Sequence, residues 1–147
     1  MASILKVDDL RGNTAAGNIT ITSEGGSATM QLQQGVAKAW CNLEQSSSSH
    51  TARDSFNIAS LSDTGEGQTT TNYTSSFVND DYVAGGHAGR YSASSHSAYW
   101  FFPTSKGTIV YSTSATSWTG GYSTGTSSAM SEYDMHLALC TIYGDLA

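Results

Sequence analysis

DSFNIASLSDTGEGQTTTNY, residues 54–73, is the stretch that decides the fold of this chain. Its first half alternates side chains with the two-residue period of a strand: Phe56, Ile58 and Ser60 on one side, Ser55, Asn57, Ala59 and Leu61 on the other. Residues 62–67 supply two glycines, which tolerate positive φ, and an aspartate that can hydrogen-bond local backbone. The second half is rich in threonine and ends in tyrosine, residue types that suit a pleated surface. We therefore predict a β-hairpin around which the other strands pack.

The composition predicts a folded all-β protein. The chain has 147 residues, which is long enough to bury a core. Only 12% of the residues are charged and 38% are apolar, with serine, threonine and glycine abundant in the remainder. Three tryptophans, eight tyrosines and four phenylalanines argue against disorder, because disordered chains are poor in aromatic residues.

Charge and hydropathy exclude several classes of partner. The formal net charge is −6, and the six basic residues are scattered at Lys6, Arg11, Lys38, Arg53, Arg90 and Lys106. No basic track exists for a phosphate backbone, so we predict no nucleic-acid partner. No apolar run approaches about 18 residues, so we predict no membrane insertion. The first residues lack the pattern of a signal peptide, which predicts synthesis in a cytosol.

Residues 36–147 are predicted to form an antiparallel β-sandwich, jelly-roll-like, with about seven to eight strands. Besides the hairpin, strand-like segments lie at 36–44, 98–102, 108–111 and 135–143, and residues 77–84 give a turn and the start of another strand. Turn signals recur about every 8–12 residues, which is typical of a sandwich. Three polar segments rich in serine, threonine and glycine are predicted to be long loops: 45–53, 85–97 and 112–128. The alternative for 85–97 is a bent edge strand.

Residues 1–35 are predicted to be an extended arm with short strands, serving attachment and oligomerisation. Residues 4–7 and 17–22 are strand-like, and 28–34 is the one helix-tolerant stretch, ended by Gly35. Two short strands cannot bury both faces alone, so the arm needs the main domain, a neighbouring copy or a larger particle. The candidate attachment side chains are Ile4, Leu5, Val7, Ile19 and Ile21.

Cys41 and Cys140 are the only thiols, and each lies in an apolar strand-like run. The first interpretation is a pair of buried free cysteines that act as small hydrophobes. A disulfide is the alternative, if the two strands pair and the protein works outside the cell. Two cysteines cannot make a cysteine-rich zinc site.

The sequence predicts no enzyme, no cofactor and no metal site. No G-x-S-x-G motif occurs, and a Ser-His-Asp trio arises easily by chance in a chain with so many serines. The adjacent carboxylates at 8–9 and 80–81 would point to opposite faces of a strand, and both pairs look like turn residues. His87 and His96 lack the tight spacing of a structural zinc site, although one histidine from each chain could meet on a trimer axis.

Aromatic residues set among serine and glycine are candidate receptor contacts. Tyrosine and tryptophan bring contact area at low entropic cost, and they also stack on sugar rings. The five candidates are Tyr91, Tyr99, Trp100, Trp118 and Tyr122. The alternative for the two tryptophans is that they close the ends of the sandwich core.

Several segments resemble small virion proteins of marine tailed bacteriophages, described as tail-fibre or appendage proteins. The segments are ILKVDDLRGNTAAGNITIT (4–22), LQQGVAKAW (32–40), RDSFNIASLSDTGEGQTTTNYTSSFVNDDYV (53–83) and YGDLA (143–147). The residues of this chain that match the sequence pattern of the family are Lys38, Ala39, Trp40, Asn42, Leu43, Asp54, Ser55, Phe56, Asn57, Ile58, Ser60, Leu61, Asp63, Gly65, Gly67, Asn79, Asp81, Tyr82 and Val83. Residues 85–131 resemble nothing specific.

The resemblance implies a non-enzymatic β-sandwich of a virion, assembled in the host cytoplasm as a homotrimer and anchored by residues 1–35. The partners it implies are other virion proteins of the tail or capsid and, through the loops, a host cell-surface glycan or protein. A capsid decoration protein, whose arm binds neighbouring shell subunits, is the second hypothesis. A depolymerase is the third, and it is disfavoured because no convergent acid and base are visible.

Overall fold

The structure is a computed structural model, and it describes residues 4–15, 18–22, 25–46, 49–89, 98–104, 111–123 and 130–147. The chain divides into two compact units, Met1–Val36 and Ala37–Ala147, so the division falls one residue after the predicted end of the arm. No helix among the described residues combines the length and apolar character that crossing a membrane requires.

The N-terminal unit contains one small hairpin. β1 (Thr20–Thr22) pairs antiparallel with β2 (Thr29–Gln31), with Ile21 opposite Met30, and a 3-10 helix follows at Leu32–Gly35. The strand predicted at residues 4–7 was wrong, because no described segment pairs with them. The helix-tolerant stretch 28–34 was right in part: residues 29–31 form a strand because β1 pairs with them, whereas a 3-10 helix begins at Leu32 and ends at Gly35 as predicted.

The second unit is the predicted antiparallel β-sandwich, with eight strands of five or more residues and one of three. The strands are β3 (Ala39–Ser46), β4 (Ser49–Phe56), β5 (Ile58–Gly65), β6 (Gln68–Tyr73), β7 (Val83–Gly89), β8 (Ala98–Phe102), β9 (Ala115–Ser123), β10 (Met130–Glu132) and β11 (Leu137–Tyr143). One sheet has the order β4-β3-β11-β7. The other has the order β10-β9-β6-β5, with β8 also paired to β9.

The hairpin of residues 58–73 is confirmed, but the strand predicted for 54–61 is two strands in two sheets. β5 pairs with β6 around a turn at Gly67, whose φ of 70° is accessible to glycine. Asn57 separates β4 from β5 with a φ of 57°, which breaks the extended backbone. Phe56 therefore lies in the four-stranded sheet and Ile58 in the five-stranded sheet.

Parts of all three predicted loops are strands. β3 and β4 occupy most of 45–53, β7 occupies 85–89 as an outer strand of its sheet, and β9 occupies 115–123. The loop prediction rested on the polar composition of these segments. A polar segment can still form a strand when it pairs with an apolar neighbouring strand. The remainder of these loops, at 47–48, 90–97 and 124–128, and most of the strand predicted at 108–111, lie outside the described residues.

The core lies between the two sheets. Phe101 and Trp118 stack at its centre, with ring centroids 5.3 Å apart and an interplanar angle of 2°. From the four-stranded sheet, β11 contributes Ala138, Cys140 and Ile142, which alternate with exposed residues along the strand. Burial of each large apolar side chain contributes about 1.5–3 kcal/mol.

Candidate functional surfaces

The outer side of the four-stranded sheet carries six large apolar side chains beside the charged residues Asp54, Glu44 and Arg53. We call the apolar set the apolar face, and it comprises the outward side chains Trp40, Phe56, Val83, Leu137, Leu139 and Tyr143. Pairing places Phe56 opposite Trp40 across β4 and β3, and Tyr143 opposite Val83 across β11 and β7. Phe56 is 51% exposed and Val83 is 70% exposed. A connected set of exposed apolar side chains is typical of a protein-binding surface.

Glycines of β7 open a groove in the apolar face. Gly85 lies opposite Thr141 and Gly89 opposite Leu137, so neither position adds a side chain to the surface. The groove has a volume of about 260 Å³ and is lined by Gly85, Gly86, His87, Leu139, Cys140 and Thr141. On the neighbouring strand, Asn42 has a buried Oδ1 atom with no hydrogen-bond partner among the described residues.

The outer side of the five-stranded sheet has the opposite character. We call it the hydroxyl face, and it comprises Ser60, Ser62, Thr70, Asn72 and Ser117. The Asn72 amide donates to the hydroxyls of Ser60 and Ser62, each at 3.1 Å, and the hydroxyls of Thr70 and Ser117 lie 3.0 Å apart. These side chains hold one another in place and leave further lone pairs for a ligand.

Two aromatic rings stand beside the hydroxyl face on β8. Trp100 and Phe102 have ring centroids 5.7 Å apart and nearly parallel planes, at 13°. Trp100 packs over Gly121, where a Cβ atom would come within 2.4 Å of the indole. Phe102 is 48% exposed, so one ring of the pair is open to solvent. No strand of this sheet contains lysine or arginine.

The structure separates the five aromatic receptor candidates. Trp118 is completely buried, stacks on Phe101 and donates from Nε1 to Thr71 Oγ1 at 3.0 Å, so its prediction as a receptor contact was wrong. Tyr99, Trp100 and Tyr122 are half-buried, and Tyr91 lies outside the described residues. Trp118 was misjudged because its serine- and glycine-rich neighbours look like a loop, whereas pairing with β6 turns its side chain inward.

The attachment candidates of the N-terminal unit are mostly exposed. Ile4 and Leu5 are 79% and 76% exposed, Val7 and Ile21 are also exposed, and Ile19 is half-buried. Leu10 and Met30 are further exposed apolar residues of this unit that the sequence analysis did not single out. Met30 and Ile21 line a shallow concavity of about 230 Å³ on the β1–β2 hairpin.

A buried polar network joins the two sheets near one end of the sandwich. The Gln45 side chain accepts from the Met135 main chain at 3.1 Å and donates to the Gly67 carbonyl and to Thr69 Oγ1, both at 2.8 Å. Thr69 Oγ1 also lies 2.7 Å from His50 Nδ1, and the histidine tautomer decides which of the two donates.

This network resembles a catalytic triad without an accessible nucleophile. His50 Nε2 lies 3.7 Å from Asp63 and 3.9 Å from Asp134, beyond hydrogen-bond distance. The hydroxyl in line with this histidine belongs to Thr69, which is completely buried and already bonded to Gln45. A substrate could not reach that oxygen, so the network stabilises the fold. Within the described residues, no three or more histidine, cysteine or acidic side chains are grouped so as to hold a metal ion.

Cys41 and Cys140 are both free and buried. Burial, assisted by the charge of Asp54, raises the pKa of the Cys41 thiol from 9.0 to about 11. Burial also raises the pKa of Cys140, and the neighbouring Cys41 adds to this effect. Neither thiol is a nucleophile at neutral pH, because the thiolate is the reactive form.

Comparison with known proteins identifies no relative: no protein-family model, no curated protein and no solved structure matches this chain.

The apolar face was not anticipated from the sequence, although β11 carries a usable signal. In LALCTIY both alternating sets are largely apolar, with Leu137, Leu139 and Tyr143 on one side and Ala138, Cys140 and Ile142 on the other. A strand with one solvated face shows apolar residues on one side only. β11 therefore departs from that pattern, because its outward side is also apolar.

Proposed function

We propose that this chain is a non-enzymatic structural protein of a tailed-phage virion, a trimeric fibre or appendage component that contributes to host-surface attachment. The exposed apolar residues of the N-terminal unit carry the proposal. Ile4, Leu5 and Val7 are more than half exposed and lie in no strand of their own. Burying these side chains against a partner would gain free energy that is lost while they stay in water, so they require a partner surface. The virion resemblance implies that this partner is another virion protein.

Copies of the chain would contact one another through the apolar face. Its six side chains carry no charge, which is the composition of an interface core, and Asp54 with the Glu44–Arg53 ion pair would lie in its polar rim. Their exposed area is on the order of several hundred Å², a substantial part of the roughly 800 Å² per partner in a standard interface. A second copy of the chain is the occupant that the trimer hypothesis requires.

The hydroxyl face, with Trp100 and Phe102, supports contact with a glycan. Aromatic rings stack on the apolar faces of sugars, while hydroxyl and amide side chains exchange hydrogen bonds with sugar hydroxyls. Because this sheet has no lysine or arginine and includes Asp63 and Glu132, it favours a neutral glycan over an acidic one.

Immunogold labelling of particles of the phage that encodes the chain tests the virion proposal directly. Gold at the tail or its fibres is the result expected for an appendage. Gold distributed over the head would instead support the second candidate, a capsid decoration protein, which the same exposed N-terminal residues favour. Purified particles that carry no label and no copy of the chain by mass spectrometry would overturn both.

Adhesion is tested with purified protein on host cells and on immobilised neutral polysaccharide. Phe102→Ala removes an exposed ring and should weaken binding about tenfold, whereas the control Val78→Ala, at an exposed apolar residue outside both faces, should retain it. Equal binding by the wild type and Phe102→Ala would contradict the role of the hydroxyl face in attachment.

A further inference from the structure

Cys41 and Cys140 are directly opposite each other on neighbouring strands. The register of β3 and β11 pairs these two residues, and both side chains face the core, at 1% and 2% exposure. Directly opposed residues of antiparallel strands have Cα atoms about 4.5–5.5 Å apart. This range lies inside the roughly 4.4–6.8 Å that a disulfide spans.

We propose that Cys41 and Cys140 are a cross-linking site that forms a disulfide between the first and last strands of the sandwich. The oxidant is a low-molecular-weight disulfide such as oxidised glutathione. One cysteine thiolate attacks it and forms a mixed disulfide, releasing one glutathione thiolate. The second cysteine thiolate then attacks the protein sulfur and releases the other. Two protein thiols become one disulfide, and their two protons and the two electrons go to two molecules of reduced glutathione.

Burial controls when this reaction occurs. In the closed sandwich neither sulfur is accessible, and few thiols are ionised at neutral pH, so exchange requires folding or the opening of β3 from β11. The same burial protects the disulfide from reductants once it exists. The timing of the reaction rests on the proposed function: the two cysteines are reduced in the host cytoplasm and are oxidised after the virion is released.

The cross-link would tie together distant parts of the chain. It closes a loop from residue 41 to residue 140, which includes every sandwich strand between β3 and β11. A long closed loop restricts the unfolded chain strongly, so the cross-link should raise resistance to unfolding. The benefit suits a protein that must persist outside the cell.

The test is refolding of the purified full chain from denaturant in oxidised glutathione, compared with refolding in reduced glutathione. We expect loss of both free thiols under denaturing conditions, a mass lower by two hydrogens, no dimer on a non-reducing gel, and a higher urea midpoint. Cys41→Ala/Cys140→Ala should show no change of midpoint with oxidant, which separates the cross-link from general effects of glutathione. Thiols that stay free, carry glutathione or pair between chains would overturn the proposal.

The virion setting is tested separately by thiol counts on the chain in released particles and in host cytoplasm. An oxidised pair in particles and free thiols in cytoplasm support the timing; free thiols in both overturn it. The refolding result does not depend on virion membership, so the cross-linking site and the proposed function fail by different measurements.

Discussion

Asn57 is the residue at which the chain leaves one sheet for the other. Its φ of 57° lies in the left-handed region, where asparagine is tolerated better than most residues. Its side chain also binds the backbone of Ser75: Oδ1 accepts from the N–H at 2.7 Å, and Nδ2 donates to the carbonyl at 3.0 Å. The corner is therefore fixed by one residue and the segment after β6.

Substitution of Asn57 separates the backbone contribution from the side-chain contribution. Asn57→Gly keeps the left-handed φ but loses both hydrogen bonds, and should cost about 1 kcal/mol. Asn57→Ala loses the bonds and adds backbone strain, so it should cost about 2 kcal/mol or more. Urea unfolding of the two variants measures the difference. An alanine variant as stable as the glycine variant would show that the left-handed φ at position 57 does not destabilise alanine.

The buried thiols make the free energy of unfolding depend on pH in the alkaline range. The pKa of Cys41 is raised in the folded state, from 9.0 to about 11, so the folded chain favours the protonated thiol. This contribution is fully present below pH 9, and it is lost as the pH rises through about 11. We expect unfolding free energy to fall over that window by an amount on the order of 2 kcal/mol.

The control for this pH dependence is Cys41→Ala/Cys140→Ala under reducing conditions. The variant keeps Tyr73, whose pKa burial also raises, so its stability should still decline at high pH but less steeply. Urea titrations at several pH values give the comparison. Parallel stability curves for the wild type and the variant would exclude the thiols as the cause.

At the scale of elements, the sandwich is held together at one side by the approach of β7 to β8. Gly86 of β7 lies so close to Phe101 of β8 that a Cβ atom would come within 2.4 Å of the Phe101 carbonyl oxygen. Glycine is required here because the obstacle is backbone, which cannot rotate away. The preceding residue, Gly85, faces outward, and a Cβ atom there would have no other atom within 4 Å.

These two neighbouring glycines form a matched pair for testing the β7–β8 contact. Gly86→Ala forces the strands apart and should cost about 2–3 kcal/mol. Gly85→Ala should change stability by less than about 0.5 kcal/mol. Thermal or urea unfolding of both variants provides the measurement. Equal effects at the two positions would mean that β7 and β8 do not approach each other as described.

At the scale of the whole molecule, the two outer sides of the sandwich differ in chemistry. The apolar face presents aromatic and aliphatic side chains, whereas the hydroxyl face presents serine, threonine and asparagine held in mutual hydrogen bonds. The first is suited to contact between proteins and the second to a hydrated ligand. Under the proposed function, this division would let one domain assemble through one side and bind a glycan through the other.

Assembly through the apolar face predicts a mass in solution of three times the 15.4 kDa chain. Leu139→Asp places a charge in the groove beside Gly85 and should convert the assembly to monomer, since a buried unpaired charge is costly. Ser62→Asp on the hydroxyl face is the matched control and should leave the mass unchanged. Size-exclusion chromatography with light scattering distinguishes these outcomes, and a wild-type monomer would contradict the trimer.

The sequence by itself determined the fold class and the hairpin at 58–73. Two-residue alternation and abundant β-branched and aromatic residues specify strands locally, and glycine at Gly67 specifies the turn, so no distant contact is needed to predict them. Ile4, Leu5, Val7 and Ile21 were also singled out from the sequence, and they are exposed because short apolar segments there have too few neighbours to cover them.

Only the tertiary structure decided which side chains of the strands reach the surface. Trp118 is buried because β9 pairs with β6, and Phe56 is exposed because Asn57 sends the chain into the second sheet at the next residue. The pairing of Cys41 with Cys140 depends on the register of strands almost a hundred residues apart. Local sequence fixes the period of a strand, whereas its partner, register and buried side are set by contacts between distant segments.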